Sequence, residues 1–233
     1  MTPVSALLRW LLELSRGDPE VLRDGIETDR LWPHRCLVVM VAGAGLYGAT
    51  IGLWRAPLQA VFTGLKFPLV VFLTTGGNAL INGMLAWLLG LGITFRQSFT
   101  SILTAFAISS CILGSLSPVT LFLLLNTEPL GSADPFLSHH VLLLVHVVLI
   151  GFAGVVGNIQ LYRLLVRLAG NQQTARRVLA SWLALNVFFG CQISWSLRPF
   201  VGTPGLPVEF LRSDALDGTF YESIYRVLVN LSR

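Results

Sequence analysis

Asn78 and Asn82 lie one helical turn apart in the segment TTGGNALIN, from Thr74 to Asn82, inside a stretch with no charged residue from Phe67 to Phe95. Side chains four apart share a helix face, and a polar group left unpaired in an apolar medium costs a few kcal/mol. Two chemistries are open to such a pair. The amides can bond between helices, with Asn186 and Gln192 or Asn158 and Gln160 as partners, or they can line a path for a solute or a lipid headgroup. Gly76-Gly77 beside them is a place where the helix can loosen.

His139, His140 and His146 form a second group, with His139 and His146 seven apart and facing the same way. A metal site needs a further strong ligand at helical spacing or a carboxylate, and this stretch has neither. Interfacial histidines are the expectation, with a metal site and a pH-sensing role as the alternatives.

A third group closes an uncharged run: Trp195, Arg198, Pro199 and Phe200 in ISWSLRPFVGTPGLP, Ile193 to Pro207. Trp195 stands where an aromatic belt is expected, Arg198 is the first charge after the run, and Pro199 prevents much further helix. Arg198 is then either a snorkelling anchor beside a Pro/Gly turn, or it turns inward. Turned inward, it caps free carbonyls or holds a lipid phosphate, with Phe200 packed behind it.

Other chemistry is missing from the sequence. There is no His-Glu-x-x-His, no Gly-x-Ser-x-Gly and no pair of acids within an apolar run. GAGLYG, Gly43 to Gly48, follows no strand, so it is no phosphate loop. Runs without acids also lack the ionisable relay of a proton-coupled transporter. The expectation is a protein that is not an enzyme and has no catalytic residue, cofactor or metal.

The elements that must position these residues follow from composition. Hydrophobic residues make up 54% of the 233 residues and charged residues only 12%, far from the balance of a globular domain. No Asp or Glu occurs between Asp29 and Glu128. Uncharged runs cover Cys36 to Trp54, Phe67 to Phe95, Gln97 to Thr127, Pro135 to Tyr162 and Val178 to Leu197. Each is near or above the roughly 20 residues that cross a hydrocarbon core. The fold class expected is an all-α, polytopic membrane bundle with five spans, at about 36–54, 67–93, 98–125, 139–162 and 178–197. A region of interfacial helices (1–35) precedes this domain (36–200), and a tail with an amphipathic helix (201–233) follows it.

The net charge of +4 is distributed as topology, not as a nucleic-acid patch. With the N-terminus in the cytoplasm, Arg9, Arg16, Arg23, Arg30, Arg35, Arg96, Arg163, Arg167, Arg176 and Arg177 lie inside, and Arg55, Lys66 and the four C-terminal arginines lie outside. A re-entrant first run would move the C-terminus to the cytoplasm. No cleaved signal peptide is visible, so the first span is expected to direct insertion. Cys36, Cys111 and Cys191 read as small buried hydrophobes, not a disulfide framework.

Amphipathic segments flank the spans. Val4, Leu7, Leu8, Leu11 and Leu14 share one face of a first helix, with Ser5, Arg9, Glu13 and Arg16 opposite. Gly17 stops it, and Asp18-Pro19 caps a second helix to about Asp29. The pair either packs on the protein's own end or lies on the membrane. Arg55 to Lys66 reads as an interfacial elbow started by Pro57 and ended by Pro68, with Leu58, Val61, Phe62 and Leu65 on one face and Arg55, Gln59, Thr63 and Lys66 on the other. Ala44, Gly48 and Gly52 form a stripe for close helix approach, repeated by Gly151, Gly154 and Gly157. Trp54, Trp195 and Phe200 are expected as interface anchors. Thr219 and Glu222 open a final amphipathic helix.

Three segments carry a resemblance: Leu46 to Leu73, Leu103 to Thr127, and SWSLRPFVGTPGLP from Ser194 to Pro207. They resemble a group of bacterial multi-pass membrane proteins of unassigned function, itself similar to the five-span Yip domain of trafficking proteins that interact with Rab GTPases. The likeness covers roughly Leu37 to Leu228, and the chain departs from the group at Gly76 to Asn82. It implies a fold and a bacterial inner-membrane location, and supplies no catalytic residues. The function expected is a non-enzymatic scaffold or accessory subunit of a membrane complex, in contact with lipids and with other membrane proteins or a second copy of itself. The alternative is a small channel, transporter or lipid-handling protein whose path is lined by Asn78, Asn82, Asn186 and Arg198.

Overall fold

The computed structural model describes residues 3–127, 135–202 and 205–231. The loop from Glu128 to Asp134, Thr203 and Pro204 of the stretch SWSLRPFVGTPGLP, and the C-terminal arginine at 233 lie outside them. All regular structure among the described residues is helical: α1 (Pro3–Arg16), α2 (Pro19–Thr28), α3 (Trp32–Leu53), α4 (Pro57–Leu88), α5 (Phe95–Leu125), α6 (Pro135–Ala169), α7 (Gln172–Ser196) and α8 (Phe220–Leu231). Five of them, α3 to α7, are long and apolar enough to cross a membrane. The chain is a membrane-embedded helical bundle.

Local chemistry sets the helix ends. Gly17 ends α1 with φ +64°, and the Asp18 carboxylate accepts from the Glu20 N–H at 2.9 Å to start α2. Thr94 and Gln97 form a reciprocal capping box at α5. The Asn171 side chain accepts from the Gln173 N–H at 2.8 Å at the start of α7.

α3 is the centre of the bundle and packs most extensively on α4 and α5. Its contact with α4 is backbone to backbone. A Cβ on Gly48 would meet the Thr63 carbonyl and Phe67, and one on Gly52 would meet the Gln59 carbonyl, so only glycine lets the two helices approach this closely. At the opposite end, Trp10 and Leu14 of α1 and Leu22 and Ile26 of α2 are buried with Trp32, Met40 and Leu164. The N-terminal helices therefore pack on the bundle's own end, although Leu7, Leu8 and Leu12 of α1 remain more than half exposed.

The elbow is not a separate element. α4 runs unbroken from Pro57 through Pro68 and past Gly76-Gly77 to Leu88. Its first turns keep the two faces distinct: Gln59, Thr63 and Lys66 are fully buried, while Leu58, Val61 and Leu65 are 52–60% exposed. In hydrocarbon the apolar face is the one that can point outward, and the polar face turns in because hydrogen-bond partners exist only inside. The second glycine stripe also divides. Gly157 packs on Ser109 and the Ala105 carbonyl, whereas side chains at Gly151 and Gly154 would meet nothing within 4 Å.

α6 and α7 are joined by a tight turn at Gly170 (φ +63°) and Asn171. Near it they pack together through Leu161, Leu165, Ala175, Val178 and Trp182. Away from it they take different partners. α6 leans on α3 and α5, where the Ser109 hydroxyl donates to the Ala153 carbonyl at 3.0 Å. α7 leans on α4, where Asn78 Nδ2 donates to Asn186 Oδ1 at 3.1 Å. The two helices therefore splay apart.

Candidate functional site

A cleft of about 570 Å³ occupies the space between the splayed helices. Phe67, Val70 and Val71 of α4 and Ile102, Phe106 and Leu113 of α5 form its floor. Along α6 it extends from Leu143 to Leu161, about 27 Å at 1.5 Å per residue. No charged side chain lines it. Leu143, Val147, Ile150, Leu183 and Val187 line the cleft and are also 36–65% exposed, so it is open on that flank. Its polar groups are few: Ser109, Ser110, His146, Asn158, Asn186 and Ser194. His146 is 6% exposed and its Nδ1 lies 2.9 Å from the Tyr47 hydroxyl.

Phe200 and Val201 close one end of the cleft. The turn that carries them is held by the buried polar face of α4. Gln59 Nε2 donates to the Pro199 and Phe200 carbonyls at 3.1 and 2.8 Å, the Thr63 hydroxyl donates to Phe200 O at 2.6 Å, and Lys66 Nζ donates to Pro199 O at 2.9 Å. The ammonium also lies 5.9 and 4.9 Å from the ring centres of Phe200 and Phe210. Sequence reasoning alone places these three side chains on one face and misses their grip on the turn. Their spacing of four and three residues is the available signal, since it marks one helix face whichever way that face points.

Arg198 turns inward. Its Nη1 donates to the Trp195 carbonyl at 3.0 Å, its Nη2 pairs with Asp214 Oδ2 at 3.1 Å, and its guanidinium lies 4.0 Å from the Trp195 ring centre. Of the inward readings, carbonyl capping is the one observed. Phe200 packs on Phe67 and Lys66, not behind Arg198.

The amides separate. Asn78 donates to Asn186 and to the Leu185 carbonyl (3.3 Å), an interhelical bond of the expected kind. Asn82 is fully buried, and neither polar atom of its side chain finds a partner among the described residues; its backbone carbonyl accepts from Trp182 Nε1 at 2.8 Å. Asn158 bonds its own helix at Gly154, Gln160 reaches the Arg16 carbonyl, and Gln192 Oε1 accepts from the Phe220 N–H. None of these three pairs with Asn78 or Asn82, because each has a backbone partner nearer along or beside its own helix. Asn186 and Asn158 line the cleft; Asn78, Asn82, Gln192 and Arg198 do not.

Trp54 is 8% exposed and lies over His139 at 5.6 Å, inside the bundle. Trp195 is partly covered by Arg198 and by Phe220, whose ring centre is 6.4 Å away. Among the described residues no three His, Cys, Asp or Glu gather as metal ligands, and the three cysteines are free.

No family model, no curated protein and no solved structure matches this chain.

Proposed function

We propose that this membrane protein binds a lipid, taking one hydrocarbon chain into the cleft between α6 and α7. The observation that carries the reading is an uncharged cleft of about 570 Å³, open on an apolar flank. Its volume lies within the roughly 300–1,000 Å³ range of ligand sites. A hydrated ion entering it would lose its water against few polar groups. A hydrocarbon chain would exchange one apolar surface for another and fill a void whose walls otherwise lack contacts. This favours lipid handling over a conducting path, since Asn78 and Asn82 are enclosed between α4 and α7.

The test is native mass spectrometry of lipid retained by the purified protein, with Gly154→Phe as the blocking variant. Gly154 lines the cleft and a Cβ there meets nothing within 4 Å, so a large side chain is expected to enter the void. Loss of retained lipid in the variant is expected. Equal retention in both proteins sinks the proposal.

A second reading, as scaffold or accessory subunit, is favoured by apolar surface outside the spans: Leu7, Leu8 and Leu12 on α1, and Tyr225, Val227 and Leu228 on α8, all 53–67% exposed. A partner membrane protein, a second copy or the bilayer surface suits these faces. Repeated recovery of a lone monomer from gently solubilised membranes counts against it. Both readings are non-enzymatic. A bacterial inner membrane with the N-terminus in the cytoplasm is supported by the resemblance and by the arginines gathered at the α1–α2 end.

A further inference from the structure

We propose that His146 is the polar anchor of the cleft and that it donates a hydrogen bond to a carbonyl, the ester carbonyl of a diacyl lipid whose chain lies in the cleft. The inference rests on the lipid reading above and adds the chemical class of the ligand. His146 is 6% exposed, lines the cleft, and spends Nδ1 on Tyr47. Tyr47 is fully buried, and its hydroxyl has no other partner among the described residues. The phenolic proton therefore goes to Nδ1, since a buried hydroxyl left without an acceptor is costly. A neutral imidazole that accepts at Nδ1 carries its own proton on Nε2.

Nε2 lies across the ring from Tyr47 and has no partner among the described residues. The cleft thus holds one oriented donor in a wall that is otherwise mostly apolar. What complements it is a neutral acceptor on a long apolar molecule. His146 is seven residues, about 10 Å, deeper along α6 than His139, and the ester groups of a diacyl lipid lie just below its headgroup. A charged headgroup has no counter-charge in the cleft and stays outside it.

The experiment offers the full-length protein an equimolar mixture of diester and diether phospholipids with the same headgroup and chain length, which differ only in the carbonyls. Native mass spectrometry reads the ratio retained. Wild type is expected to favour the diester by about fivefold, the size of one hydrogen bond. His146→Phe is expected to retain the two lipids at a ratio near one. His146→Gln, which keeps a donor at similar reach, is expected to restore most of the preference, and Tyr47→Phe, which frees the tautomer, to weaken it. Equal retention of both lipids by wild type, or an unchanged preference in His146→Phe, overturns the anchor. Either result can occur with normal total retention, whereas failure of the cleft reading is seen in Gly154→Phe.

Discussion

Lys66 Nζ donates to the carbonyl of Pro199, 133 residues further along the chain, at 2.9 Å. The contact places a fully buried ammonium in the wall behind the turn that closes the cleft, with carbonyl oxygen and aromatic faces in place of a carboxylate. Thr63 and Gln59 complete the grip one and two turns earlier on α4.

The grip predicts non-additive costs. Phe200 O accepts from both Gln59 and Thr63, so Thr63→Val alone is expected to cost about 1 kcal/mol. Adding Gln59→Leu leaves that part-buried carbonyl without a donor, and the pair is expected to lose about 3 kcal/mol, more than the sum of the singles. Thermal unfolding of the four proteins of the cycle measures this. Simple additivity would mean the turn is held elsewhere.

Asn78 and Asn82 are expected to behave oppositely. Asn78→Leu strips Asn186 of its partner and should destabilise by about 1–2 kcal/mol. Asn82→Leu removes an amide that has no partner among the described residues and inserts a side chain of similar volume, so stability should hold or rise by about 1 kcal/mol. Fluorescence-detected melting distinguishes them. A clear loss for Asn82→Leu would reveal a bond that its amide makes in the membrane.

Glycine positions sort by what faces them. Gly48→Leu and Gly52→Leu drive a side chain into the α4 backbone and are expected to cost about 3 kcal/mol or more, or to abolish monodisperse protein. A Cβ at Gly151 meets nothing within 4 Å, and Gly151→Leu should elute as wild type in size-exclusion chromatography.

Arg198 and Asp214 contribute unequally to their pair. Asp214 is 57% exposed on its side chain, so Asp214→Asn is expected to cost no more than about 0.5 kcal/mol and to be insensitive to salt thereafter. Arg198→Met also removes the cap on the Trp195 carbonyl and the stacking on that ring, and should cost about 2 kcal/mol. Melting at low and high salt measures both. Equal losses would assign the whole effect to the ion pair.

Much of the architecture is legible in one dimension. The five long helices and the caps at Asp18 and Thr219 follow from uninterrupted apolar length and from local capping chemistry, neither of which needs a partner segment. The candidate site is legible only in fragments. Asn186 and His146 stand out by type, yet the side chain of Asn82, of the same type as Asn186, finds no partner among the described residues, and the shared face of Gln59, Thr63 and Lys66 does not reveal that it grips the carbonyls of Pro199 and Phe200. A helical face shows in sequence, but its direction depends on where the carbonyls of residues 199 and 200 arrive.

Residue order is enough to make this chain a bundle of apolar helices, because the lengths of its uncharged stretches and the residues at their ends act within each segment. Packing in three dimensions settles the rest: which polar faces turn inward, that α6 and α7 part beyond residue 161, and that one ring nitrogen of His146 has no partner among the described residues. Those outcomes depend on contacts between segments distant along the chain, where each polar group takes the partner that packing brings to it.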